Sequence, residues 1–398
     1  MGNPAAHLPP LLHPDDLLAF TASLSLPPPT RTEPLAVTAS FHRIYLLHFP
    51  PSAAAALAPA RADADGTTTL VLRVSGSHLP RIKTENEVAM MRWVRENTSV
   101  PVPAVVRWDS GCGNVLGCEF TLLERVPGRS ADKVFWALGE KQRKRMVGEI
   151  VGFLAELWEK SNGVWRHVGG LRVDEGGEVA PGPVVDEWFW MVPDVERYWP
   201  GGDESPETLN PIGGAFSGWA EHLDKSVEKY VYAIERHPSL EWMRDLASRL
   251  EKYREYVREH AGELDDTRYV LSHRDLHLAN VMVDEEGAVT GLLDWEFGAV
   301  VPGPRWDPPN AFLYPWGGEG DEAKAERERM RGWAEEICEE DGIELEVVAG
   351  VPYRGAQETA QSVANFTRAI CEVCPRGQGE RATAWKVALE GELAKLGL

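Results

Sequence analysis

Five polar residues around position 280 have the types and spacing that phosphoryl chemistry requires. Asp275 follows His273 and Arg274, Asn280 lies five residues further on, and Asp294 comes after two short apolar runs. A carboxylate held in a loop can accept or orient the proton of an attacking hydroxyl group. An asparagine and a second carboxylate supply the hard oxygen ligands that Mg²⁺ takes when it bridges nucleotide phosphates. The pattern predicts phosphoryl transfer, with Asp275 as the base and with Asn280 and Asp294 on magnesium.

The surrounding residues predict short, rigid elements that would hold this set. Residues 281–283 and 289–293 are rich in strand formers, and the turn over 284–287 suits a hairpin. A hairpin fixes the distance between Asn280, at its start, and Asp294, at its end. The combination of loop, hairpin and closing aspartate is much rarer than a lone His-x-Asp sequence.

The two residues before Asp275 allow two interpretations. With Asn280, they complete an H-R-D-L-x-x-x-N match, in which we assign His273 and Arg274 a supporting role that orients the loop. In the rival interpretation, His273, Asp275 and His277 converge on a metal ion. Asn280 would then have no role, so we favour the first interpretation.

The rest of the chain predicts two lobes of different secondary structure. Strand-forming stretches and one helix make up the first part, with strands at 36–49, 67–74, 105–108 and 118–123 and the helix at 85–96. Helical patterns dominate afterwards, around a loop-rich stretch at 162–215: 141–160, 216–237, 240–260, 321–340 and 355–398. We therefore predict an α+β fold with an irregular leader (1–34, with a short helix at 15–24), a nucleotide-binding N-terminal lobe (35–125) and a catalytic, substrate-binding C-terminal lobe (126–398).

Several segments together resemble one known family. HRDLHLANVMVD and GLLDWEFG are similar to the signature of the aminoglycoside phosphotransferase and choline kinase group, above all its fungal members. RIKTENEVAMMRWVRENTSVPVP resembles the family's helix and the stretch after it, CEFTLLERVPG its inter-lobe hinge, and TASFHRIYLLHF its first hairpin. The resemblance covers about residues 35–310 and implies a protein-kinase-like fold that uses ATP and Mg²⁺.

The resemblance also implies roles in the N-terminal lobe. Arg73, on the third strand, would contact phosphate and pair with Glu87 of the following helix, although Glu85 competes for that pairing. Protein kinases have Lys where this chain has Arg, which keeps the charge but changes its shape. Beyond the closing aspartate, Glu296 would lie near the second metal or the substrate, or form a salt bridge, which is the interpretation that we favour. Asp307 would tie down the loop.

The nucleotide contacts implied by the resemblance come from two further segments. The sequence Thr38-Ala39-Ser40-Phe41 takes the place of a glycine-rich loop without containing glycine, so Ser40 and Phe41 would cover the phosphates. The hinge would present the backbone groups of Glu124 to Val126 to adenine.

Composition narrows the class of partner. The formal net charge of −21 repels nucleic acid and anionic membranes, so we expect neither as a partner. The odd count of five cysteines and the lack of a long apolar run indicate a reduced, cytoplasmic protein without a signal peptide or membrane span. The oligomeric state cannot be read from the sequence.

Two functional hypotheses follow. The first is an ATP- and Mg²⁺-dependent kinase that phosphorylates a hydroxyl group of a small molecule, and the second is a catalytically weak, pseudokinase-type binding or regulatory protein. The glycine-free loop and Arg73 motivate the second hypothesis. The acceptor is open, but abundant acidic groups and a set of tryptophans suggest an amine-bearing or aromatic compound: Trp165, Trp188, Trp190, Trp199, Trp316 and Trp333.

Overall fold

A strand-rich region and a helix-rich region follow one another along the chain. The computed structural model describes residues 7–35, 40–199, 201–306, 312–313 and 320–398. A five-stranded sheet forms the first region, and most of the helices lie in the second. The predicted α+β, two-lobed, kinase-like architecture is confirmed.

The N-terminal lobe is an antiparallel sheet with one long helix inserted after its third strand. Its strand order is β1-β2-β3-β5-β4, and the strands are β1 (Arg31–Pro34), β2 (His42–Phe49), β3 (Thr68–Ser75), β4 (Val105–Asp109) and β5 (Phe120–Glu124). Helix α2 (Ile82–Asn97) connects β3 to β4. It begins three residues before the predicted start, which brings Lys83 and Thr84 into its first turn.

The leader is more ordered than the sequence suggests. It contains helix α1 (Pro14–Ser23) and strand β1, which pairs with β2. Leu17 and Phe20 of α1 are buried against the sheet, and the Phe20 ring meets Phe120 at 4.8 Å. Burial of such side chains contributes roughly 1.5–3 kcal/mol each, so the leader is part of the lobe. The predicted strand at 36–49 is shorter, since β2 begins at His42 and residues 36–39 lie outside the described residues.

The C-terminal lobe is built on long amphipathic helices. Its helices among the described residues are α3 (Ala131–Val134), α4 (Glu140–Ser161), α5 (Val192–Tyr198), α6 (Pro206–Leu209), α7 (Trp219–Arg236), α8 (Ala247–Glu259), α9 (Ala261–Leu264), α10 (Asp321–Asp341), α11 (Glu346–Ala349), α12 (Gln357–Val373) and α13 (Ala382–Lys395). In the part of the chain that is described, none combines the length and apolar character needed to cross a bilayer.

Short strand pairs carry the loops of the C-terminal lobe. The strands are β6 (Arg129–Ser130), β7 (Leu171–Val173), β8 (Val179–Pro181), β9 (Tyr269–Ser272), β10 (Val281–Val283), β11 (Val289–Leu292) and β12 (Ala299–Pro302). The predicted hairpin is confirmed as β10–β11, and β6 extends it on the other side. Sequence patterns missed the β7–β8 hairpin, within the stretch described as loop-rich, and β12, which pairs with β9.

The buried side chain of Asn86 connects the two lobes through hydrogen bonds. Asn86 of α2 donates from Nδ2 to the carbonyl oxygens of Glu296 and Gly298, both at 2.9 Å. Its Oδ1 accepts from the N–H of Leu171 at 2.7 Å. Because Asn86 is fully buried, loss of these bonds would leave several unsatisfied groups. The helix of one lobe is thereby fixed against the candidate site of the other.

Candidate active site

The catalytic loop follows strand β9 directly and is held by backbone contacts. His273 is buried, and its Nε2 lies 2.8 Å from the carbonyl oxygen of Leu293 at the end of the hairpin. The Nδ1 atom accepts from the N–H of Asp275 at 3.3 Å. Both ring nitrogens are therefore engaged, which supports the predicted orienting role and not the rival metal-ligand interpretation.

Asp275 and Asn280 are in direct contact. The Nδ2 of Asn280 donates to the carbonyl oxygen of Asp275 at 2.8 Å and lies 3.3 Å from its Oδ2. The side chain of Asp275 is 44% exposed and also lies 3.5 Å from Nε2 of His277. The carboxylate is thus oriented by neighbours but remains accessible to an incoming hydroxyl group.

Two residues of this region adopt the left-handed conformation that favours glycine. Arg274 has φ +65° and Asp294 has φ +68°. Such backbone strain at non-glycine residues costs of order 1–3 kcal/mol and persists where surrounding structure enforces it. Both strained residues belong to the set that the sequence singled out, which points to a functional reason for their conformation.

Arg73 lies at the centre of an ionic network on the N-terminal side of the cleft. It is 9% exposed, so it is not a surface residue. Its guanidinium pairs with Glu87 and, at 2.8 Å, with Oδ1 of Asp294. Glu85 instead accepts from Ser110 at 3.1 Å, so Glu87 is the partner, in the arrangement that the sequence predicts.

Sequence reasoning missed Lys83 and His42, which also belong to this network. Lys83 is 1% exposed, and its Nζ lies 3.0 Å from Nε2 of His42 and 3.2 Å from Oε2 of Glu296. Its position carried a usable signal, because Lys83 and Glu87 are four residues apart on one helix and must share a face. Glu296 therefore forms a salt bridge, the alternative that the sequence favoured.

Burial and mutual attraction shift the pKa values in the network. Burial raises the pKa of Glu296 to about 7, against the lowering effect of Lys83 and Arg73. Burial acts to raise the pKa of Asp294 as well, but Arg73 holds it below its usual value. Burial, Lys83 and Arg73 lower the pKa of His42, which stays neutral. Asp294 is thus held as a carboxylate, as a metal ligand must be.

The oxygen donors at this position fit a magnesium ion. The N–H of Leu293 donates to the carbonyl oxygen of Asn280 at 2.8 Å, so Asn280 and Asp294 lie across the end of one hairpin. Asn280 directs its Nδ2 to Asp275, which leaves its side-chain oxygen for a ligand, and Asp294 is one-third exposed. An amide oxygen and a carboxylate are the ligand types that Mg²⁺ takes beside nucleotide phosphates.

In the hinge, the backbone groups of Val126 are available to a base, as far as the described residues show. The N–H of Glu124 already donates to the carbonyl oxygen of Ala104 at 2.8 Å, and its side chain pairs with Arg61. Val126 makes no backbone hydrogen bond to the described residues. A Cβ on Gly291 would lie 2.6 Å from Cγ1 of Val126, so a glycine is needed there. Of the two hinge residues named, Val126 is the better placed to meet adenine.

Phe41 makes aromatic contacts that the sequence did not suggest. It is buried, stacks on His78 at 4.0 Å and meets Phe297 of the catalytic region at 5.7 Å. Ser40 is half-buried beside it. Thr38, Ala39 and the residue Asp307 lie outside the described residues.

A cavity of about 400 Å³ lies beside Asp275 on the C-terminal side. Arg274, Glu187 and Trp188 line it with residues of α12. Trp188 is the only one of the suggested tryptophans that lines it among the described residues, and it is 38% exposed. Large apolar side chains mostly fill the core, and four of the others do: Trp165, Trp190, Trp199 and Trp333. Trp316 lies outside the described residues.

One curated fungal protein is similar to about half of this chain. The chain is 25% identical over 233 residues to the clavilactone A biosynthesis cluster protein Y of Ampulloclitocybe clavipes, which covers 55% of this chain and 50% of that protein. The chain thus spans about half the length of this curated relative.

Solved structures with a similar chain course include two aminoglycoside phosphotransferases. One is the streptomycin–ATP complex of APH(2″)-IIa, at 13% identity and TM-score 0.45, with 97% of both chains covered. The other is a thermostable mutant of APH(4)-Ia in its apo form, at 13% identity and TM-score 0.44, with 96% of this chain and 99% of that chain covered.

A family model describes the part of the chain that carries the site. The model of the phosphotransferase enzyme family (APH) matches residues 59–306, which include β3, α2, the catalytic loop and the hairpin. The match covers more than half of the chain. The protein therefore belongs to the APH phosphotransferase enzyme family.

Proposed function

We propose that this protein is an ATP- and Mg²⁺-dependent kinase that transfers the γ-phosphoryl group to a hydroxyl group of a small molecule. One observation carries the proposal: an exposed Asp275 is oriented by Asn280 and His273 at the mouth of a cavity. Family membership supports the reaction class. Family membership does not specify ATP as the donor or a hydroxyl group as the acceptor, and both are part of the proposal.

Asp275 would act on the acceptor. Its accessible carboxylate would accept a hydrogen bond from the hydroxyl group, orient the oxygen for in-line attack and take up the proton. Two hydrogen bonds restrict the loop: Asn280 donates to the Asp275 carbonyl oxygen, and the Asp275 N–H donates to Nδ1 of His273. Little reorganisation is therefore needed when the acceptor binds.

Asn280 and Asp294 would hold magnesium, and Arg73 would lie next to the phosphates. A bound Mg²⁺ supplies neutralisation of phosphate charge. Arg73 already contacts Asp294 at 2.8 Å, so it would orient that carboxylate as well as attract phosphate. The backbone of Val126 would meet adenine, and the segment at Ser40 and Phe41 would cover the nucleotide.

A pseudokinase-type binding or regulatory role is the second candidate. The observation in its favour is that Arg73 is shared by Glu87, Asp294 and, at 3.6 Å, Glu296. A guanidinium held by three carboxylates has less charge to offer to phosphate. The complete set of Asp275, Asn280 and Asp294 argues for the enzyme.

Two measurements separate these candidates. Titration calorimetry with ATP, in the presence and absence of Mg²⁺, tests nucleotide binding, and an ADP-release screen over amino alcohols, sugars, hydroxy acids and aminoglycosides tests transfer. We expect magnesium-dependent ATP binding and at least one acceptor that increases ADP release. ATP binding without any acceptor would favour the regulatory role, and no binding at all would reject the proposal.

The partner and location are further proposals. A small-molecule acceptor fits the cavity beside Asp275, and the acidic charge remains the reason for expecting neither nucleic acid nor membrane as a partner. All five cysteines are free thiols in the structure, which is compatible with the predicted reduced, cytoplasmic location.

A further inference from the structure

Two arginines at the candidate catalytic loop, Arg274 and Arg305, make no ion pair with any described residue. Arg274 and Arg305 line a common cavity, and within the described residues neither has a hydrogen bond or an ion pair. Arg73, Arg254 and Arg368, in contrast, each meet a carboxylate at 2.8 Å. In a chain with 62 acidic and 41 basic residues, two cations at one cavity without an ion pair to the described part of the chain are available for a ligand.

The position of these arginines connects them to the proposed reaction. Arg274 lines both the cavity that contains Asp275 and the cavity that it shares with Arg305. Arg305 lies in a short helical turn after β12, which the N–H of Gly303 anchors to the carbonyl oxygen of Arg268 at 2.8 Å. A ligand spanning the two cavities would have one end at Asp275 and the other at the arginines.

Among the acidic groups near the arginines, Glu335 lines their common cavity beside Arg331. The other acidic groups are engaged or lie on the other side. Asp186 binds Arg368 through two hydrogen bonds of 2.9 and 2.8 Å, and Glu372 binds the same guanidinium at 2.8 Å. Glu187 lines the Asp275 cavity but neither cavity that contains Arg305. The guanidinium groups of Arg274, Arg305 and Arg331 outnumber the one carboxylate in that lining, so positive charge dominates on the Arg305 side.

The state of a nearby histidine agrees with this positive field. His222 lines the cavity with Arg274 and Arg305. Burial and then these two guanidinium groups lower its pKa to about 3, so it is neutral at physiological pH. A neutral imidazole can donate one further hydrogen bond to a ligand without adding charge.

We propose that the acceptor carries an oxyanion, a carboxylate or a phosphate, that Arg274 and Arg305 bind while its hydroxyl group lies at Asp275. Guanidinium groups bind such oxyanions through paired, charge-assisted hydrogen bonds. The placement of the hydroxyl group rests on the proposed function, whereas the oxyanion site does not. Hydroxy acids, hydroxy amino acids and phosphate esters fit this description, and simple amino alcohols and neutral sugars do not.

The test is binding of small probes without nucleotide. Dissociation constants for glycerate, 3-phosphoglycerate, glycerol and ethanolamine would be measured by ligand-observed NMR. The proteins would be the wild type, Arg305→Gln, Arg305→Lys and the control Arg166→Gln, whose side chain is exposed and lines none of these cavities.

We expect the wild type and the control to bind glycerate, 3-phosphoglycerate or both more tightly than glycerol and ethanolamine. Arg305→Gln should weaken that binding roughly 10- to 100-fold, and Arg305→Lys should keep part of it. Preference for one of the two anions identifies the carboxylate or the phosphate as the group recognised. Melting curves check that each variant is folded, and Arg305→Lys serves if Arg305→Gln is not.

Two results would overturn the inference: anion binding no tighter than glycerol binding in the wild type, or unchanged anion binding in folded Arg305 variants. Because no nucleotide is present, these results are independent of turnover. A failed phosphoryl-transfer screen with intact anion binding would reject the proposed function and leave the oxyanion site in place.

Discussion

The two sides of the cleft use their charged groups differently. On the side proposed for the nucleotide (the nucleotide side), Arg73 and Lys83 are buried and bound to Glu87, Asp294 and Glu296. On the side proposed for the acceptor (the acceptor side), Arg274 and Arg305 line open cavities, without an ion pair to any described residue. The first set joins the lobes and fixes the candidate metal ligand, whereas no described carboxylate holds the second.

This difference distinguishes the charged groups that stabilise the fold from the charged groups that are available to a ligand. Truncating one member of a buried ion pair leaves an uncompensated charge and is strongly destabilising. Removing an unpaired arginine at a cavity loses no folded-state contact of that kind. Substitutions of the paired groups should therefore act on the free energy of unfolding, and substitutions of Arg274 and Arg305 on ligand affinity.

The largest effect on stability is expected for Lys83→Met. The variant removes the 3.2 Å partner of Glu296, whose side chain is 4% exposed, and leaves Arg73, at 3.6 Å, as its one remaining cation among the described residues. We expect the free energy of unfolding to fall by about 3–5 kcal/mol, as measured by urea denaturation.

The matched control is the double variant Lys83→Met/Glu296→Gln. It removes the stranded carboxylate and should recover part of the lost stability. A single variant as stable as the wild type would show that the buried network does not hold the nucleotide side together.

A smaller, pH-dependent effect is expected for Asp186→Asn. Burial would raise the pKa of Asp186, but Arg368 holds it at about 2, below the usual 3.8. A lowered folded-state pKa adds stability that is present above pH 3.8 and is lost as the pH falls through 2. We expect the variant to lose about 2 kcal/mol at pH 7.

Between pH 4 and 2, the free energy of unfolding of the same variant should fall less steeply than that of the wild type. Urea denaturation at several pH values measures this difference. Asp266→Asn is the control, because Asp266 is exposed. Parallel pH profiles for Asp186→Asn and the wild type would contradict the assignment of this pair.

The smallest effect on stability is expected for Arg305→Gln. Since Arg305 has no ion pair within the described part of the chain, its removal should change the free energy of unfolding by less than about 0.5 kcal/mol. Urea denaturation of Arg305→Gln and Lys83→Met in parallel compares their losses in the free energy of unfolding. A loss as large as that of Lys83→Met would remove the distinction between the two sides.

The loop and hairpin that carry the candidate catalytic residues could be predicted from the sequence because their parts are close in the chain. Asp275 and Asn280 are five residues apart, and a short hairpin carries the chain to Asp294. Local turn and strand patterns were sufficient there. The Arg73–Glu87 pair was also found, through a family resemblance and not through local patterns.

Long-range contacts could not be predicted in the same way. Lys83 meets His42 and Glu296 across 41 and 213 residues of chain. The four-residue spacing from Glu87 indicates a shared helix face, but a lysine in the first turn of a helix normally lies in solvent. Its burial is therefore shown only by the folded packing. Strand β12 is four residues long and was missed because its partner β9 is far away in sequence.

The most direct test of the central claim compares Asp275→Asn with the wild type in two measurements. These are the affinity for Mg-ATP by calorimetry and the turnover with the best acceptor from the screen. The account predicts that turnover falls by about 10³-fold or more, while the dissociation constant of Mg-ATP changes less than about twofold, because the nucleotide-side network is untouched. Turnover that survives in Asp275→Asn would contradict the account.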